Sequence, residues 1–175
     1  MKKAYIALLI VSIAFFIIPS AGFSQVEITK KEKAVTEDIK DGDIIFQTSE
    51  SRQCQAIRIA TNSKYTHCGI IYILDGKPYV YEAVQPVKIT PLNKWISEGK
   101  KQQYLIKRLK NDAVLDSVTV AKMKAYGSKF KNKDYDLYFG WTDDKIYCSE
   151  LVWKIYKNGG GIELCNLETL KNFNL

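Results

Sequence analysis

Histidine is nearly absent from this chain: His67 is the single one in 175 residues. There is no Cys-x-x-Cys and no His-Glu-x-x-His, which removes the usual zinc spacings, and no pattern calls for a metal or another cofactor. A glycine-rich phosphate loop, an internal repeat and a low-complexity tract are also missing, so nucleotide-binding and repeat architectures are excluded. Acidic residues are the minority, 19 against 26 Lys and Arg. The excess is scattered in runs such as Lys30, Lys31 and Lys33, Lys100 and Lys101, and Lys107, Arg108 and Lys110, with no nucleic-acid motif beside them. A solvated surface accounts for these runs, with weak attraction to an anionic cell-envelope polymer or membrane as the alternative.

Long apolar runs are confined to the start. Lys2 and Lys3 precede an apolar stretch over residues 4–18, and Pro19, Ser20, Ala21, Gly22, Phe23 and Ser24 follow it. That is the order of a secretory signal peptide, with cleavage expected after Gly22 or Ser24; an uncleaved membrane anchor is the alternative. No cysteine follows the run, so nothing points to lipid attachment there. The expectation is a signal peptide over 1–24 and one domain over 25–175, exported to the periplasm or secreted. Without Lys2 and Lys3 the formal charge falls from +7 to +5. About 150 residues suffice for one compact domain with its own core. The four cysteines, Cys54, Cys68, Cys148 and Cys165, match no small disulfide framework by spacing.

A polar segment over 29–40 reads as a helix, and Asp41-Gly42-Asp43 as a turn before a short strand, Ile44, Ile45 and Phe46. Residues 51–61 read as a short helix with Ala56, Ile57, Ile59 and Ala60 on its apolar side. Two β-rich runs, 69–74 and 78–84, flank Asp75-Gly76, a strong hairpin signal. Residues 86–91 are extended, 92–97 suggest a helical turn, and 104–109 another strand. A longer helix is expected over 112–130, with Val114, Leu115, Val118, Ala121, Ala125 and Tyr126 turned inward. A polar and aromatic loop over 131–145 then leads to a final helix. Antiparallel strands in a block between helices indicate an α+β domain.

That final helix opens with YCSELVWKIY. Leu151, Val152, Ile155 and Tyr156 make one apolar face, Asn158 and Gly159 to Gly161 end it, and Cys148 falls in the first turn. Unpaired N–H groups there favour an anion, so a thiol at that place ionises more easily. The alternative is a small apolar core residue. A thiol nucleophile needs a base, and His67 supplies the imidazole; a histidine that only hydrogen-bonds at a strand end is the plainer reading. A two-residue loop at Asp75-Gly76 pairs Leu74 with Lys77 and Gly69 with Glu82, which puts Glu82 on the face of His67, one diagonal step away. Glu82 interrupts an apolar strand, YVYEAV, where a carboxylate needs a partner unless the strand edge is in solvent. Cys68, next to His67, points to the opposite face and reads as a core residue.

The segments GDIIF (42–46), THCGIIY (66–72) and YCSELV (147–152) resemble the motifs of the NlpC/P60 papain-like superfamily. The cysteine helix comes last here, so the chain resembles the circularly permuted branch, the YiiX/YaeF-like amidases. The resemblance covers residues 41–159, and KDYD (133–136) is similar to the segment leading to the cysteine in that branch. It implies a circularly permuted papain-like fold, an antiparallel sheet or small barrel packed against helices, and a cysteine hydrolase with Cys148 as nucleophile, His67 as base and Glu82 as its orienting partner. The backbone N–H of Cys148 would be one oxyanion donor, with Gln47 and Tyr147 as candidates for the second. The expected substrate is an amide in cell-wall peptide or a lipid-linked amide, with no cofactor, metal or nucleic acid. The alternatives are acyl transfer to a lipid by the same thiol chemistry, and a non-catalytic module that binds peptides or acyl chains. A redox thiol protein comes last, because no resolving cysteine lies near Cys148 in sequence.

Overall fold

The structure, a computed structural model, describes residues 5–6, 23–26, 38–50 and 54–169. Apart from Tyr5–Ile6, the apolar stretch over 4–18 lies outside the described residues, as does most of the segment expected as a helix over 29–40, whose end, Asp38 to Lys40, is not helical.

Five antiparallel strands carry the domain: β1 (Ile44–Gln47), β2 (His67–Leu74), β3 (Lys77–Glu82), β4 (Lys88–Pro91) and β5 (Tyr104–Leu109). Their order is β5-β1-β2-β3-β4, with Phe23–Val26 paired outside β5. Among the described residues the two edges do not pair with each other, which leaves the sheet open. Helices α1 (Cys54–Thr61), α2 (Leu92–Glu98), α3 (Ser117–Gly127) and α4 (Cys148–Lys154) complete an α+β domain.

Side chains alternate across the sheet and divide the core in two. Ile45, Ile71, Val80 and Ile106 pack with Leu92 and Trp95 of α2 on one face. Ile44, Phe46, Cys68, Ile70 and Leu105 pack on the other with Leu151, Val152, Ile155 and Tyr156, the apolar face expected of the last helix. That helix continues from α4 into a π turn, Ile155–Gly159, and stops at Gly161, whose φ is +70°.

The Asp75-Gly76 turn fixes the hairpin as its sequence demands. Both residues have positive φ, 50° and 72°, as a two-residue turn matched to strand twist requires. Leu74 therefore pairs with Lys77 and Gly69 with Glu82. At Gly69 a Cβ would lie 2.8 Å from the Tyr81 carbonyl oxygen and against Val80 Cγ1, so glycine is needed for close strand approach and not for a turn. Gly69→Ala is expected to destabilise the domain by about 1–3 kcal/mol through overpacking, read as a lower urea midpoint.

The helix expected over 112–130 is broken. A 3₁₀ turn, Asp112–Val114, precedes α3, and a second, Ser128–Phe130, follows it. Asp116 caps α3 by accepting a hydrogen bond from Thr119 N at 2.7 Å. The inward residues are Val120, Met123 and Gly127, whereas Val114 and Val118 are 41% and 60% exposed and Ala121 and Ala125 also face outward. The late start and the packing of Met123 against Gly159 and Gly160 set the helix phase, overriding the apolar count.

The GD of GDIIF is structural. Gly42 takes φ +91°, and the fully buried Asp43 accepts hydrogen bonds from Arg108 Nε at 2.8 Å and Nη2 at 2.7 Å. Burying a carboxylate is tolerable with a fork of this kind.

Candidate active site

His67 is the first residue of β2 and Glu82 the last of β3. The hairpin register brings their side chains together on the α2 face, and Glu82 Oε2 lies 2.6 Å from His67 Nε2. The carboxylate is 2% exposed and surrounded by donors: Trp95 Nε1 donates to Oε2 at 2.8 Å and Thr90 Oγ1 to Oε1 at 2.5 Å. Trp95 also stacks on the imidazole, with ring centroids 5.8 Å apart. Burial pushes the Glu82 pKa up, but hydrogen bonding with His67 and the other donors outweighs it, so the carboxyl is held below its usual range.

Trp95 and Thr90 had no assigned role in the sequence. Each left a trace: a buried indole N–H needs an acceptor, and Thr90 occupies the one buried position of β4.

Because Nε2 faces Glu82, the other imidazole nitrogen is left for Cys148, which lines the same cavity and helps raise the imidazole pKa. Cys148 opens α4 on the opposite face of the sheet. The two meet because His67 stands at the very end of its strand, where a side chain can reach past the sheet. Leu151 N donates to Tyr147 O in the first helical hydrogen bond, so the Cys148 N–H has no partner within the helix.

A hydrogen bond from Cys68 is the largest influence on the Cys148 thiol, followed by opposing burial and then by His67; together they hold it well below the ordinary thiol range. Burial lowers the His67 pKa, yet its bonds to Cys148 and Glu82 raise it to about 10. A thiolate beside an imidazolium is the state these shifts describe, a nucleophile with its acid-base partner in place.

Loop 131–145 is anchored to α4. Lys154, nearly buried, pairs with Asp143 at 2.7 Å and with Glu150 at 2.7 Å, and its ammonium lies 5.0 Å from the Trp141 ring centroid. Glu150 also accepts a hydrogen bond from Tyr147 N at 3.3 Å, closing the start of the helix; burial raises its pKa to about 7. Within KDYD, Asp136 accepts from Tyr138 N and Gly140 N at 2.8 and 2.6 Å, and burial together with the charge of Cys148 pushes the Tyr135 hydroxyl pKa up. Of the four aromatics in this loop, Tyr135 is thus electrostatically coupled to the thiol and Phe139 lines the adjoining cavity, while Tyr138 is 85% exposed.

The cavity is largely apolar, walled by Phe46, Ile57, Ala60, Tyr65 and Phe139, with His67, Cys68, Tyr147, Cys148 and Ser149 at the reactive end. Of the two candidate side-chain oxyanion donors, Tyr147 lies on this wall and Gln47 does not. Gln47 pairs with His67 in the β1–β2 ladder, but its buried Oε1 is turned against Gly99 and accepts no hydrogen bond. No disulfide joins the four cysteines; Cys54 and Cys68 are buried and Cys165 is half-buried.

Residues 38–175 match the family of permuted papain-like amidase enzymes, YaeF/YiiX, C92. The chain is 43% identical over 134 residues to the uncharacterized protein YiiX of Escherichia coli K12, an alignment covering 77% of this chain and 65% of that protein. It thus spans a little under two thirds of its relative. The crystal structure of the metalloprotein YiiX from Escherichia coli O157:H7 superposes with a TM-score of 0.74 at 43% identity, covering 78% of this chain and 74% of that one. Among the described residues here, no group of three or more His, Cys, Asp or Glu is arranged to hold a metal ion. Within the described residues the donors present do not fit a resident metal.

Proposed function

The chain belongs to the permuted papain-like amidases, and from that premise we propose that it is a cysteine hydrolase cleaving amide bonds through Cys148, His67 and Glu82. One observation carries the reading: an imidazole held between a thiol of lowered pKa and a buried carboxylate whose hydrogen bonds are filled by His67, Trp95 and Thr90.

The Cys148 thiolate attacks the carbonyl carbon, and the carbonyl oxygen becomes an oxyanion beside the Cys148 backbone N–H. His67 then gives its proton to the leaving amine, and the acyl group remains on sulfur. Water, deprotonated by His67, attacks the thioester and releases the acid. Glu82 accepts the Nε2–H throughout, which fixes the imidazole orientation and the tautomer that faces Cys148. The Tyr135 hydroxyl and the Tyr147 wall bound the space in which the oxyanion forms.

The cavity's apolar walls favour a substrate with an apolar group beside the scissile bond, as in a lipid-linked amide or a cell-wall peptide with an apolar side chain. The leader over residues 4–18 supports action outside the cytoplasm. If an amine or alcohol replaces water in the second step, the same chemistry becomes acyl transfer.

The test is intact-protein mass spectrometry during incubation with N-acyl amides and short peptides, with free acid and amine measured alongside. The expected result is a transient acyl adduct on Cys148 and steady release of both products. Binding without adduct or product, unchanged by Cys148→Ala, would leave a non-catalytic module in its place.

A further inference from the structure

Cys68 performs no step of amide hydrolysis, yet it lines the same cavity as the Cys148 thiol. Alternation along β2 turns Cys68 away from His67 and Glu82, toward the face covered by α4. Cys148 arrives from that same face. The two residues therefore share one buried cluster and line one end of one cavity, and each is the leading influence on the other's ionisation. Both are free, and neither Cys54 nor Cys165 lines the cavity.

The chemistry of the pair is unequal. Cys148 is the sulfur that ionises readily, whereas Cys68, donating to Cys148 and buried, is held protonated well above the thiol range. A reactive thiolate with a protonated thiol against it matches the division of labour between an attacking and a resolving cysteine.

We propose that Cys68 and Cys148 are a reversible oxidation site, closing to a disulfide when a peroxide enters the cavity and thereby withdrawing the nucleophile. The Cys148 thiolate attacks one peroxide oxygen, the O–O bond breaks, and the departing oxygen leaves as water after taking the proton held by His67. The sulfur is oxidised by two electrons to a sulfenic acid and the peroxide is reduced by two. Cys68 then attacks the sulfenic sulfur; its S–H proton joins the departing hydroxide as water, and the S–S bond forms. A dithiol reverses the change by exchange, supplying two electrons and two protons. The consequence for activity rests on Cys148 being the nucleophile of the proposed hydrolase, whereas formation of the disulfide does not.

The experiment treats the full chain and its Cys68→Ala and Cys68→Ser variants with hydrogen peroxide, blocks remaining thiols with iodoacetamide, and maps peptides without reduction. In the wild type the expected product is a peptide linking residue 68 to residue 148. Alkylatable Cys148 should fall roughly tenfold or more and return after dithiothreitol. In both variants the same dose should carry Cys148 on to sulfinic acid, which dithiothreitol does not restore. The proposal is overturned if wild-type Cys148 reaches sulfinic acid as readily as in the variants, if it links instead to Cys54 or Cys165, or if it does not oxidise. Should neither variant fold, the linked peptide in the wild type still decides. No substrate is used, so a missing disulfide leaves the amidase reading intact, and a missing amidase activity leaves the disulfide intact.

Discussion

Cys148 should alkylate rapidly well below the free-thiol pKa of about 8.5, and His67→Ala should abolish that low-pH reactivity. The hydrogen bond from Cys68 and the His67 imidazolium both favour the thiolate, against burial, and the first alone does not supply the positive charge. In turn, His67 is carried to about pKa 10 against its own burial by the hydrogen bonds to Cys148 and Glu82. The signs follow from linkage. The depressed thiol contributes stability that is present above the unfolded thiol pKa and lost as pH falls through the folded value. The raised imidazole contributes stability that is present below the unfolded pKa of 6.5 and lost as pH rises through about 10. The ion pair therefore exists from well below the thiol range up to about pH 10, and kcat/KM for an amide should be bell-shaped across that window. Cys148→Ala should lower turnover by about 10⁶-fold, the scale for removing a nucleophile from a catalytic group that acts as a unit. An ordinary thiol titration near pH 8.5, the same with and without His67, would refute the ion pair.

Glu82→Ala should be the most destabilising single change at the site, and Glu82→Gln the most informative. Alanine strips the acceptor from His67 Nε2, Trp95 Nε1 and Thr90 Oγ1 at once, all inside the protein. Breaking a buried pair from one side costs about 3–5 kcal/mol, which urea unfolding would register directly. Glutamine keeps the size and one oxygen. Because His67 and Trp95 share Oε2 and Thr90 takes Oε1, an amide nitrogen at the Oε2 position turns its hydrogens on both His67 Nε2 and the Trp95 N–H, whereas one at Oε1 faces the Thr90 hydroxyl. In the first orientation the imidazole must carry its proton on the other nitrogen, toward Cys148, which is the wrong tautomer for a base; in the second the imidazolium loses the negative charge that holds it. Glu82→Gln should therefore fold with a modest loss of stability while kcat falls by about 10² to 10⁴-fold. Low-pH alkylation of Cys148 should weaken along with it. The Glu82 carboxyl, held below its usual range, contributes stability above the unfolded carboxylate pKa and loses it as pH falls through the folded value. A Glu82→Gln enzyme with unchanged kcat and unchanged alkylation would confine Glu82 to a structural role.

Where the sequence misled, the competing physics is identifiable. Val114 and Val118 suit the inward face of a continuous helix, but Asp116 starts α3 one turn later and Met123 docks on the glycines after Tyr156. Gln47 sits opposite His67 in the ladder, which suits an oxyanion donor, yet the side chain lies against Gly99, whose lack of a Cβ leaves it room. Cys68 was legible as a residue of the opposite face. Its contact with Cys148 was not, because α4 is brought to that face by packing and by no feature of β2.

What the sequence determined by itself is local. Asp75-Gly76 set the β2–β3 register, the register set Glu82 beside His67, and the apolar spacing after Tyr147 set α4 with Cys148 in its first turn. Each depends on short-range geometry, where one turn type or one helical period leaves little choice. Tertiary structure alone decided that the end of β2 meets the start of α4, that Trp95 and Thr90 close around Glu82, and that Cys68 lies against Cys148. Those contacts join segments far apart in the chain, and they follow from how two apolar sheet faces are covered, α2 on one and α4 on the other, which no local pattern encodes.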